Sequence, residues 1–95
     1  MKLEAHVGSS ETFAWVTFFR SDNAIIKGEF TLRSSGKHSI EIIGELDEMA
    51  TVIARIYSVA VRRFTDVSKA KDLLLEIVTG YCDNDMDVEI DVKEI

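Results

Sequence analysis

Two apolar periods inside one short chain point to an α+β domain with a four-to-five-stranded, mainly antiparallel sheet, two helices packed on one face, and the element order ββββααβ. Up to Ile43 the apolar residues alternate or gather with β-branched and aromatic neighbours between turns rich in Gly, Ser, Asp and Asn. From Gly44 they recur every three or four residues, and from Val88 they alternate again.

Lys2 to Val7 alternates, with Leu3, Ala5 and Val7 on one face, and Gly8-Ser9-Ser10 breaks the pattern as a turn. Thr12 to Arg20 is dense in aromatic and β-branched residues and reads as a second strand, closed by Ser21-Asp22-Asn23. Ala24 to Arg33 forms the third strand, and Ser34-Ser35-Gly36-Lys37 turns into a fourth, His38 to Ile43. Leu46, Met49, Ile53, Ile56, Ala60 and Phe64 then mark one stripe of a helix, with Glu48, Thr51, Arg55, Ser58 and Arg62 on the opposite stripe. Acid in its first turn and Arg62 and Arg63 in its last complement the helix dipole. Thr65 is placed to cap a second helix that turns Ala70, Leu73, Leu74, Ile77 and Val78 inward, with Gly80 as its C-terminal cap. Val88 to Lys93 is the last strand.

A chain of 95 residues builds one core, so residues 1–95 are expected to be a single domain. With 46% hydrophobic and 29% charged residues and no proline, the composition is globular. Arg55, Arg62 and Arg63 interrupt the longest apolar stretch, and the first residues alternate instead of forming an apolar signal core; no membrane association is expected. The single cysteine, Cys82, has no internal disulfide partner, which points to a reducing, cytoplasmic setting. The net charge of −6 is concentrated at the C-terminal end, where six carboxylates from Asp83 to Glu94 stand against Lys93. Such a surface repels phosphate backbones, so nucleic acid is not an expected partner.

A tight hairpin centred on Asp22-Asn23 would set Phe19 across from Ile26, Trp15 from Phe30 and Phe13 from Leu32, beneath the helices. The uncovered face would then carry an apolar strip of Ala14, Val16, Phe18 and Ile25, rimmed by Lys27, Glu29 and Arg20. An apolar strip with a charged rim suits docking to a protein partner or self-association. The expected function is therefore a small acidic, non-enzymatic protein–protein interaction module of inhibitor, immunity or adaptor kind, with no catalytic residues and no cofactor.

Two local patterns offer alternatives. Asp83-Asn84-Asp85-Met86-Asp87-Val88-Glu89-Ile90-Asp91-Val92-Lys93-Glu94 resembles an EF-hand calcium loop, with Val88 where that family has glycine. The resemblance implies a divalent-metal (Ca²⁺) site at Asp83, Asp85 and Asp87. The strand-helix-helix-strand order around Arg63-Phe64-Thr65-Asp66 is similar to the ribonuclease H fold, with Glu45 or Glu48 and Asp66 matching two metal-binding carboxylates. Val7 stands near the place of the first-strand carboxylate, so that resemblance implies a decayed domain, and it requires Ser58 to Thr65 to be a strand. Elsewhere the serines, the two histidines and the dispersed glycines form no triad or phosphate loop.

Overall fold

The computed structural model of the chain describes residues 2–20, 27–44, 48–84 and 88–95, with the backbone alone for 82–84. Its elements are β1 (Lys2–Ser9), β2 (Phe13–Arg20), β3 (Lys27–Arg33), β4 (His38–Ile43), α1 (Glu48–Arg63), α2 (Val67–Asn84) and β5 (Glu89–Glu94). The first four strands make an antiparallel meander, and β5 returns beside β1 in parallel, giving the sheet order β4-β3-β2-β1-β5. The ββββααβ order and the α+β layering are those expected.

The core lies between the helices and one side of the sheet. Leu3, Ala5 and Val7 of β1, Ala14, Val16 and Phe18 of β2 and Phe30 and Leu32 of β3 all point there and are fully buried or nearly so. Met49, Ile53, Ile56 and Ala60 of α1 and Ala70, Leu74 and Val78 of α2 close it from above. Each large side chain removed from water in this layer contributes about 1.5–3 kcal/mol. Of the stripe expected on α1, Met49, Ile53, Ile56 and Ala60 face the core and Glu48, Thr51, Arg55, Ser58 and Arg62 face water, while Leu46 lies outside the described residues and Phe64 follows the helix.

The hairpin between β2 and β3 departs from expectation by one residue. Val16 pairs with Phe30, Ala14 with Leu32 and Phe19 with Lys27, so Trp15 meets Thr31 and Phe13 meets Arg33. Because side chains alternate, that displacement exchanges the two faces of β2, while β3 keeps Phe30 and Leu32 inward as expected. Ala14, Val16 and Phe18 therefore lie in the core at 0% exposure and are not an accessible strip. Ile25 lies outside the described residues, and Lys27 is exposed on the uncovered face, as expected. The physical reason is volume and polarity. The set Ala14, Val16, Phe18 is wholly apolar and fits against Ala5 and Val7, whereas Thr17 interrupts the bulkier set Phe13, Trp15, Phe19.

Smaller differences concern turns and caps. β1 runs on through Gly8 to Ser9, and α2 is capped by Asp66, whose carboxylate accepts from the Ser68 backbone N–H at 3.1 Å, instead of by Thr65. That bond and the Ser68 side chain hold the Asp66 carboxyl below its ordinary value. α2 also continues past Gly80 to Asn84, because Tyr81 packs against the core and rewards another turn. Gly36 does serve the β3–β4 turn: its φ of 86° is one that L side chains rarely adopt.

Two glycines, Gly80 within α2 and Gly28 facing α1, should respond oppositely to a methyl group. Gly80 has nothing within 4 Å of an added Cβ, so Gly80→Ala should raise stability by about 0.5–1 kcal/mol in urea unfolding. A Cβ on Gly28 would overlap the Ile53 side chain of α1, so Gly28→Ala should lower it by about 1–3 kcal/mol. Equal effects at the two positions would contradict the packing described.

Candidate functional site

The side of the sheet turned away from the helices carries a central aromatic stripe. Phe13, Trp15 and Phe19 project from β2, each half-buried, with Thr17 between them. These are the residues that the expected hairpin register would have sent into the core.

Each aromatic ring is held by a neighbour. Trp15 pairs with Gly8 across the β1–β2 ladder, and its indole lies over the glycine so closely that no Cβ would fit there. A bare glycine backbone facing a large ring is a recurrent way of covering exposed strand backbone. The Phe13 ring stands 5.4 Å from that of Trp15, and the Arg33 guanidinium lies 5.4 Å from the Phe13 centroid on its face. Phe19 packs on the His6 ring at 5.1 Å.

Charge completes the surface. Glu4 accepts from Lys93 Nζ of β5 at 2.7 Å and shares a 2.8 Å hydrogen bond with His6 Nε2. The lysine first, and the histidine second, hold the Glu4 carboxyl below its ordinary value, and the same bond raises Lys93. Thr17, the one buried polar residue among those described, donates its hydroxyl to Glu29 at 3.1 Å. That donation commits the hydroxyl to Glu29, so the Glu4–His6 pair has no activated nucleophile in Thr17. Beside the stripe, Lys27, Glu29 and Thr31 of β3 and Ser39, Glu41 and Ile43 of β4 line a shallow depression of about 230 Å³. By strand alternation, Glu4, Glu29, Glu41, Glu89 and Asp91 on this face stand among equally many cations, Lys2, Lys27, Arg33, Lys37 and Lys93.

The other candidates fall elsewhere. Asp83 belongs to the last turn of α2, and Asp85 and Asp87 lie outside the described residues, as does Glu45. Among the described residues no three His, Cys, Asp or Glu side chains come together as a metal site. Asp66 caps α2, and residues 58–63 are helix, where the ribonuclease H likeness requires a strand. No described helix is long and apolar enough to cross a membrane.

The Glu4 bond gives a pH dependence of definite sign. With its folded pKa depressed, Glu4 contributes stability that is present above the unfolded value near 4.5 and is lost as pH falls through the lower folded value. Wild type should exceed Glu4→Gln in urea unfolding at about pH 7, and the difference should vanish near about pH 2. A difference that persists at the acid limit would show that Glu4 acts through packing. In comparisons with known proteins, no protein family, no curated protein and no solved structure matches this chain.

Proposed function

We propose that this chain is a small, acidic, non-enzymatic protein–protein interaction module, and that it docks through the open face of the sheet. The observation that carries the reading is the aromatic stripe of Phe13, Trp15 and Phe19 on the side that neither helix covers. Aromatic side chains with few rotatable bonds provide large contact areas at low entropic cost, and they dominate the binding energy of protein interfaces. The surrounding mixed charge, on a chain that is acidic overall, fits a partner surface that offers lysine or arginine around an apolar centre. A net charge of −6 would steer such a partner toward encounter.

Aromatic residues on a sheet are also how some RNA-binding domains stack bases. Those surfaces present cations for the phosphates, whereas here carboxylates are interspersed among the cations and the chain's net charge is −6. A protein partner is therefore the reading that the charges favour.

Trp15 is the chain's one tryptophan, so its fluorescence reports directly on the stripe. The tagged protein should capture a defined partner from source-cell extract, and Phe13→Asp, with unchanged circular dichroism, should weaken that capture by about 2 kcal/mol. Single-stranded oligonucleotides should leave Trp15 emission unchanged. Undiminished capture by Phe13→Asp, or quenching by the oligonucleotide, would overturn the reading.

A further inference from the structure

We propose that the free edge of β4 pairs with β4 of a second copy around a two-fold axis centred on Ile40, making one continuous sheet across two chains. This edge is distinct from the aromatic face, and the inference stands independently of the function proposed above.

The backbone shows which groups are available. Arg33 N–H bonds the Lys37 carbonyl at 2.9 Å, so Arg33 and Lys37 form a hydrogen-bonded pair at the start of the β3–β4 ladder. In an antiparallel ladder such pairs alternate, so Ser39 and Glu41 also aim their backbone groups at β3. His38, Ile40 and Ile42 aim theirs outward, from the last strand of the sheet. Ile40 is 37% exposed and Ile43 51%, the two exposed large hydrophobic residues among the described strands.

The side chains then select the register. Two-fold pairing must keep the helical faces on one side, which restricts the centre to a single residue facing its own copy. Centred on Glu41, two carboxylates would stand in a close non-hydrogen-bonded pair, an unfavourable arrangement. Centred on Ile40, the two Ile40 residues form a hydrogen-bonded pair and His38 meets Ile42 of the other copy. Glu41 then faces Ser39 and lies diagonal to Lys37, an opposite charge. All three outward-facing backbone positions are satisfied, with two hydrogen bonds for each pair.

A second copy is favoured over other edge arrangements by charge and closure. The opposite edge, β5, presents Glu89 and Asp91, and its Lys93 and Glu94 are bonded to Glu4 and Lys71. Carboxylates on an edge discourage strand addition, whereas β4 has one carboxylate and no lysine or proline within it. Joining β4 of one copy to β5 of the next would also propagate without closing, while the two-fold pair ends at two chains.

Sedimentation velocity over a concentration series tests this. The wild-type mass should approach that of two chains as concentration rises. Ile40→Lys and Ile40→Glu, each placing like charges face to face, should weaken the dimer by about tenfold or more. An equimolar mixture of the two should restore it. Ser39→Lys, exposed and directly across from Glu41 of the other copy, should strengthen association, and Trp15→Ala should leave it unchanged. A wild type that stays monomeric throughout overturns the proposal, as does a dimer indifferent to both Ile40 variants or one abolished by Trp15→Ala. A mixture that stays monomeric overturns the Ile40-centred register.

Discussion

Val16 pairs with Val7 on one side and with Phe30 on the other, and this double pairing decides which side of the sheet meets the helices. Three strands thereby commit apolar residues to the same layer: Ala5 and Val7, Ala14 and Val16, Phe30 and Leu32. A shift of one residue in the β2–β3 ladder would split that layer, sending part of it to water and bringing Thr17 or Glu29 beneath the helices. Burying the Thr17 hydroxyl away from Glu29, or the Glu29 carboxylate itself, in place of an apolar side chain opposes such a shift. The register is accordingly enforced by the core.

Two glycines accommodate the two faces that result. Gly28 leaves room for Ile53, allowing α1 to settle close over β3, and the Phe18 and Phe30 rings, 6.1 Å apart, pack in the same layer. On the reverse side Gly8 leaves room for the indole of Trp15. One glycine brings a helix near to the sheet, and the other lets a ring lie flat on a surface that no helix covers.

Much of this was legible in the chain. The stripe of Met49, Ile53, Ile56 and Ala60 identifies α1 because a helix repeats its inward face regardless of what precedes it. Strand alternation is equally plain, but alternation alone does not say which alternate set is inside. For β2 both sets are rich in apolar residues, and a tight turn at Asp22-Asn23 favours the wrong one. The deciding signals were present, though faint: Thr17 breaks the odd-numbered set, and Gly8 stands in β1 where a large cross-strand ring needs space. The parallel return of β5 to β1 had no local signal, since Val88 to Lys93 would alternate in the same way at either edge of the sheet. Gly80 misled for a related reason: its suitability as a cap was local, and Tyr81's contact with the core outweighed it.

That distant return of β5 matters for the aromatic stripe. Lys93 holds Glu4, Glu4 holds His6, and the His6 ring packs against Phe19, so a strand from the end of the chain steadies a side chain on β2. At the other end of the stripe, Arg33 of β3 lies over Phe13, and Phe13 packs beside Trp15 above Gly8. The rings are thus oriented by contacts made on folding. In the docking proposed above, side chains already ordered would lose little further freedom, so more of their contact energy would remain as affinity. Mixed charge does the orienting here and aromatic area supplies the surface. That division of labour is why a face too polar to be a core and too aromatic for ordinary solvent exposure stays stable in the folded domain.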